Sequence, residues 1–98
     1  MNKFMIELDL PSPLTVDFVT QIPSQHYAVE KLMAAGIIVS YTLSQDQSKL
    51  WIIMMSDSEA EMERLLRSLP LTTFMQARWY PLAFHNLGTF RMPQMILN

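Results

Sequence analysis

The stretch that decides the fold is IIVSYTLSQDQSKLWIIMM, residues 37–55. Residues 37–43 and 49–55 are rich in β-branched and aromatic residues, and five polar residues separate them, so the stretch predicts a β-hairpin. The second strand is apolar on both faces, with Trp51, Ile53 and Met55 opposite Leu50, Ile52 and Met54. The first strand has Val39, Tyr41 and Leu43 on one face and Ile38 on the other. Strands that are apolar on both faces are typical of a sheet covered on both sides.

The sequence before the hairpin predicts a strand and a helix. Residues 3–10 alternate as a strand does. Thr15 is a candidate N-cap for a helix that ends at Gly36, with an apolar residue near every helical turn. Pro23 cannot donate a backbone hydrogen bond, so we expect a kink or break near Ile22.

After the hairpin the sequence predicts a second helix and a last strand. Ser58 and Glu61 form a capping box, and Pro70 ends the helix that they begin. Residues 76–84 supply the final strand, which Pro81 interrupts. The order βαββαβ predicts an α+β, ferredoxin-like fold, in which two helices pack on one face of a four-stranded antiparallel sheet.

Two helices on one face leave the other face of this sheet bare. Burying about 600 Å² of additional apolar surface would contribute on the order of 15 kcal/mol before the costs of association. We therefore expect a homodimer or a larger homo-oligomer, in which a second copy covers the bare face. The alternative is a face that contacts a membrane or promotes aggregation.

Length and composition restrict the classes of function. Ninety-eight residues fit one domain, and we predict a domain over residues 1–86 and an extended tail over 87–98 at a subunit contact. A net charge of −2, with seven scattered Lys and Arg, argues against nucleic acid as a partner. There is no cysteine, and the two histidines lie 59 positions apart, so we expect neither a metal site nor a cofactor. No run approaches the ~18 apolar residues of a membrane span, so we expect a cytoplasmic protein without membrane contact.

The segment LLRSLPLTTFMQARWYPLAFHN, residues 65–86, resembles the muconolactone isomerase-like family of small ferredoxin-like proteins. The residues that carry this resemblance are Leu69, Pro70, Leu71, Phe74, Met75, Leu82 and His85. The resemblance implies a dimeric α/β barrel, often assembled into larger rings. It also implies a role in aromatic compound catabolism, with a pocket between sheet and helices where an unsaturated lactone undergoes a proton shift.

An isomerase of this type needs a base and a donor to the enolate oxygen, and three residues are candidates. His26 is predicted at the edge of the apolar helix face, pointing toward the sheet, or else it is a structural histidine bonded to the backbone. Glu7 is a catalytic candidate whose pKa a neighbouring sheet would raise, or it forms a structural ion pair with Arg78. Tyr41 is a candidate donor, or its ring packs and its hydroxyl contacts water.

Four further residues are candidates for ligand binding. Arg78 and Tyr80 lie on the predicted last strand, and Tyr80 is a second possible donor to an oxyanion. Trp51 is either a ligand contact or an anchor at a subunit interface. Trp79 is either an interface anchor or a stacking platform. His85 lies where the last strand meets the tail, at a ligand or at a subunit contact.

Two functions follow from these observations. The first is a small-molecule isomerase or binder. The second is a non-catalytic assembly or regulatory module with the same fold, because the family's isomerases tend to carry a Trp-Arg pair where this chain has Thr42 and Leu43. The module predicts a filled, dry interior, and a polar cavity of ~300 Å³ or more would count against it.

Overall fold

The computed structural model describes residues 2–85. These residues form four strands, three α-helices and a 3₁₀ helix. The strands are β1 (Asn2–Asp9), β2 (Ile38–Leu43), β3 (Lys49–Ser56) and β4 (Gln76–Pro81). The helices are α1 (Val16–Thr20), α2 (Ile22–Ala34), α3 (Glu59–Arg67) and the 3₁₀ helix (Pro70–Phe74).

The strands form one antiparallel sheet in the order β2-β3-β1-β4. This order, with helical crossovers after β1 and β3, is the predicted ferredoxin-like arrangement, so the predicted fold class is confirmed. The predicted tail at 87–98 lies outside the described residues. Within residues 2–85, no helix is both long and apolar enough to cross a bilayer.

The predicted first helix is divided in two. The Thr15 side chain caps α1 by accepting a hydrogen bond from the Phe18 N–H at 3.2 Å, as its position indicated. Gln21 separates α1 from α2, and Pro23 lies in the first turn of α2, where its missing N–H costs nothing. The break near Ile22 is therefore confirmed.

A glycine in the left-handed region ends α2. Gly36 has φ 77°, its N–H donates to the Met33 carbonyl, and the Ile37 N–H donates to the Leu32 carbonyl. These two bonds form a Schellman motif, which satisfies carbonyls at the helix end and turns the chain into β2.

The helix-facing side of the sheet holds the core. It contains Phe4, Ile6, Leu8, Ile52 and Met54, which pack against Val29, Met62 and Leu66 from the helices. We call the opposite side the open face; it carries Met5, Glu7, Trp51, Ile53 and Tyr80.

An irregularity in β2 changes which of its residues share a face. The register shifts between Ile38 and Ser40, so that Ile38 and Tyr41 both pair with residues whose side chains face the helices. The predicted opposition of Ile38 to Tyr41 is therefore wrong, because a bulge at Val39 interrupts the alternation.

Two boundaries near the C-terminal end differ from prediction. The last strand ends at Pro81 rather than Phe84, and one further backbone bond to β1 follows it, from the Leu82 N–H to the Lys3 carbonyl at 2.9 Å. The 3₁₀ helix between α3 and β4 was not predicted, and it buries Leu71 beside α2.

Candidate active site

A pocket of about 240 Å³ lies between the helical layer and the hairpin end of the sheet. Its wall is largely apolar, and it includes Phe18, Leu50, Leu71 and Met75. Leu14, Ile22 and Leu43 line its rim and are 40–49% exposed. An apolar pocket with few polar groups is the usual form of a small-molecule site.

The helix α1 is held over the pocket by an aromatic contact. The rings of Phe18 and Phe74 meet edge to face, with their centroids 5.7 Å apart. Phe18 is buried and belongs to α1, while Phe74 closes the 3₁₀ helix. This contact joins two elements that the sequence separates by more than fifty residues and fixes one wall of the pocket.

The main polar feature of the pocket wall is a chain of hydrogen bonds through Gln25. Gln25 is only 3% exposed. Its Oε1 accepts from the Leu71 backbone N–H at 2.9 Å, and its Nε2 donates to the Tyr41 hydroxyl at 3.0 Å. Burial raises the pKa of Tyr41, and the Gln25 bond opposes that rise. The phenol therefore stays neutral and can donate, which suits the predicted role of Tyr41.

Gln25 was not predicted as a site residue, although its spacing in the sequence indicates a buried position. Gln25 follows the pocket residue Ile22 by three positions and precedes the core residue Val29 by four, so it lies on the buried stripe of α2. A polar side chain at such a position needs partners, because an unpaired buried amide is costly.

His26 lies at the rim of the pocket rather than inside it. Its side chain is 73% exposed, and its Nε2 lies 3.1 Å from Glu30 Oε2, one turn along α2. The prediction that it points toward the sheet is wrong, because Gln25 takes the inward position and His26 follows it around the helix. In neutral His26, an Nε2–H that donates to Glu30 leaves Nδ1 free to accept a proton.

Glu7 lies on the open face, in a group with Asp9, Lys49 and Arg78. Arg78 donates to Glu7 and to Asp9, and Lys49 Nζ lies 3.2 Å from Glu7 and 2.6 Å from Asp9. Hydrogen bonds from Arg78, and then from Lys49, hold the pKa of Glu7 below its usual value. In the single chain the pKa of Glu7 is thus lowered, and Glu7 forms the ion pair with Arg78 that was the alternative prediction. A rise caused by a neighbouring sheet stays a prediction.

The same two cations act on Asp9. Arg78 and Lys49 lower the pKa of Asp9 to about 2. We call Glu7, Asp9, Lys49 and Arg78 the ion cluster; its two carboxylates and two cations sum to zero charge. A neutral group with satisfied hydrogen bonds costs less to cover than an isolated charge.

The model of the muconolactone delta-isomerase family matches residues 3–87. The chain belongs to this family. The match covers the whole βαββαβ unit, and it confirms the resemblance read from residues 65–86. A comparison with curated proteins gave no match.

Thr42 and Leu43, where the resemblance implies a Trp-Arg pair, lie on different sides of the sheet of this muconolactone delta-isomerase family member. Thr42 pairs with Trp51 and lies on the open face, while Leu43 pairs with Leu50 and lies at the pocket rim, 49% exposed. An apolar side chain thus occupies this position at the pocket rim.

The structure divides the remaining predicted site residues between two places. Trp51 lies beside Glu7 on the open face, in a shallow depression with Met5 and Ile53, and Tyr80 is opposite Met5 and 53% exposed. His85 lies beyond β4 near Asn2 and Lys3. Of the seven predicted residues, only His26 and Tyr41 therefore line the pocket between helices and sheet.

Trp79 does not lie on the open face. It is paired with Ile6, packs against the core and donates from Nε1 to Glu59 of α3 at 3.0 Å. Its interpretation as an interface anchor is therefore wrong, because β4 turns this side chain toward the helices.

Proposed function

We propose that this member of the muconolactone delta-isomerase family moves a proton within an unsaturated lactone, in the pocket between α1, α2 and the hairpin. The observation that carries the proposal is that one apolar pocket has both a neutral, hydrogen-bonded phenol, Tyr41, in its wall and an imidazole, His26, at its rim. The volume of about 240 Å³ suits a five-membered lactone with a small substituent.

The reaction needs one base and one donor. His26 accepts a proton from the carbon next to the lactone carbonyl, the electrons move onto the carbonyl oxygen, and the imidazolium then delivers a proton to the γ-carbon. The double bond moves by one position, and no atom is gained or lost. Glu30 orients the imidazole and stabilises its protonated form between the two steps.

Tyr41 is the donor in this proposal. An oxygen that gains negative charge during the reaction is stabilised best by a donor already held in place in a site of low polarity. The raised pKa of Tyr41 keeps its proton in place throughout. Tyr41 is therefore proposed to donate to the lactone oxygen and not to act as a base.

The residues at the pocket rim favour an uncharged substrate. Leu14, Ile22 and Leu43 surround the opening, and Leu43 stands where the family tends to have arginine. Apolar rim residues favour a lactone with an alkyl substituent over one that carries a carboxylate.

A second copy of the chain is proposed to cover the open face. Trp51, Met5 and Ile53 form an apolar depression there, and the ion cluster beside it is internally neutralised. These features support a homodimer built sheet to sheet, as the family resemblance implies.

The test of the proposed function is the conversion of α-angelica lactone into its conjugated β isomer, followed by ultraviolet absorbance. Saturable acceleration over buffer by the purified protein supports the proposal. A rate equal to that of buffer with heat-denatured protein would refute it for this substrate class.

A non-catalytic binding module is the second candidate. Two observations favour it: the pocket is smaller than ~300 Å³ and largely apolar, and His26 is the only imidazole among the described lining residues. The module predicts that the lactone binds without conversion, so one sample assayed for both binding and turnover separates the candidates.

A further inference from the structure

The orientation of the Gln25 amide can be assigned from the structure without ambiguity. A backbone N–H can only donate, so the Gln25 atom that faces Leu71 N at 2.9 Å must be the carbonyl oxygen. The other end of the amide, which faces the Tyr41 hydroxyl at 3.0 Å, is then the NH₂ group. An exchange of the two atoms would place a donor against a donor at Leu71.

This orientation decides what the Tyr41 hydroxyl does. Its oxygen accepts from Gln25, so its single hydrogen must be directed elsewhere. Among residues 2–85, no group accepts a hydrogen bond from that hydrogen. Tyr41 lines the pocket, so the hydrogen can be directed into it. A partly buried hydroxyl whose hydrogen has no partner loses stabilisation that a ligand oxygen can restore.

We propose that Gln25 is a positioning residue, which holds the Tyr41 hydroxyl as a hydrogen-bond donor into the pocket, and that the pocket selects ligands presenting an uncharged oxygen acceptor there. The selection of a lactone carbonyl rests on the proposed function; the direction of the hydrogen bonds does not. Gln25 acts through Tyr41 and does not itself contact the ligand.

The substitution Gln25→Glu tests this direction with little change in shape. A carboxylate accepts from both Leu71 and Tyr41, so the tyrosine hydrogen turns away from the pocket. When the new carboxyl is protonated it can donate to Tyr41 again, and the hydroxyl returns to its original role. His26 and Tyr41 are the only titratable groups among the described lining residues, and Glu30 is the charged group beside His26.

The first measurement needs no ligand. The intensity ratio of the tyrosine ring doublet in the Raman spectrum is high for a phenol oxygen that accepts and low for a hydroxyl that donates to a carboxylate. The contribution of Tyr41 is the difference between wild type and Tyr41→Phe, so this arm does not depend on the folding of Gln25→Glu. A high ratio is expected in wild type and a low ratio in Gln25→Glu; a low ratio in wild type would overturn the proposal.

The second measurement compares β-angelica lactone with 3-methylcyclopentene, which lacks the acceptor oxygen, by NMR titration. In Tyr41→Phe and in Gln25→Glu, the dissociation constant of the lactone divided by that of 3-methylcyclopentene should rise about fivefold, because one neutral hydrogen bond to the lactone is lost. Acidification should restore the ratio in Gln25→Glu and leave it unchanged in wild type.

Each outcome has a separate meaning. An unchanged ratio in both variants, or binding of neither probe to wild type, would overturn the proposed selection of an acceptor oxygen. A shifted ratio without any turnover would leave this inference standing and refute the isomerase.

Discussion

The Gln25 side chain of α2 donates a hydrogen bond to the hydroxyl of Tyr41 on β2 at 3.0 Å, at the wall of the pocket. The same amide accepts from Leu71 in the 3₁₀ helix, so one buried side chain ties three elements together. All three residues line the pocket, which lies between the two helical elements and the sheet. The stability of the fold and the proposed chemistry of the site therefore both involve Gln25.

Replacement of Gln25 by alanine should lower the free energy of unfolding by about 2–3 kcal/mol. The change removes two hydrogen bonds and leaves the buried Leu71 N–H without its acceptor. Urea denaturation followed by circular dichroism measures the loss. Gln21→Ala is the matched control, since Gln21 is exposed and makes no capping bond with its side chain. Equal stability of the two variants would show that the bonds through Gln25 contribute little.

Substitution His26→Ala should lower kcat for lactone isomerisation by roughly 10²- to 10⁴-fold, the usual contribution of a general base. Because the side chain is 73% exposed, stability and oligomeric state should not change. Tyr27→Phe is the control, as this neighbouring ring contacts Lys31 on the helix surface. Unchanged kinetics in His26→Ala would remove His26 from the mechanism.

The Asp9 carboxyl should titrate at about pH 2 in the folded protein, because Arg78 and Lys49 favour its charged form. Its folded pKa lies below the unfolded value of about 3.9, so its contribution to stability is complete above that value and is lost as pH falls toward 2. NMR titration of the carboxyl carbon measures this directly. Arg78→Met should raise the pKa of Asp9.

Arg67→Met is the control for that titration. Arg67 pairs with Glu63 on α3, away from the ion cluster, so its loss should leave Asp9 unaffected. A carboxyl that titrates near its ordinary value in wild type would show that the ion cluster does not form in solution.

The substitution Thr42→Glu should dissociate the proposed dimer. Thr42 is exposed on the open face beside Trp51, so a carboxylate there would meet the second copy without disturbing the core. Thr73→Glu places the same charge on the exposed 3₁₀ helix. Light scattering should report a dimer or larger assembly for wild type and Thr73→Glu, and monomer for Thr42→Glu. A wild type that is monomeric at micromolar concentration would contradict the covered sheet.

Much of the fold could be predicted because its signals are local. The break at Pro23, the caps at Thr15 and Ser58, and the stop at Gly36 each depend on neighbouring residues, and the structure has all four. The bulge at Val39 and the 3₁₀ helix depend on how distant elements pack, which the alternation of apolar residues does not specify.

The site was less predictable for the same reason. Glu7 and His26 were selected by residue type, and the structure places them on opposite sides of the sheet, the first in an ion cluster and the second at the pocket rim. Gln25 went unnoticed because its role depends on Leu71, 46 positions away. A polar residue on an otherwise apolar helix stripe was the available signal.

The most direct test of the proton shift is the proton NMR spectrum of the β-angelica lactone formed from the α isomer in D₂O. Because His26 is exposed, its captured proton should exchange with solvent, and the γ-carbon of the product should therefore carry deuterium. The rate at which this product forms should rise with protein concentration. Formation of the product no faster than in buffer would contradict an isomerase that uses His26 as its base.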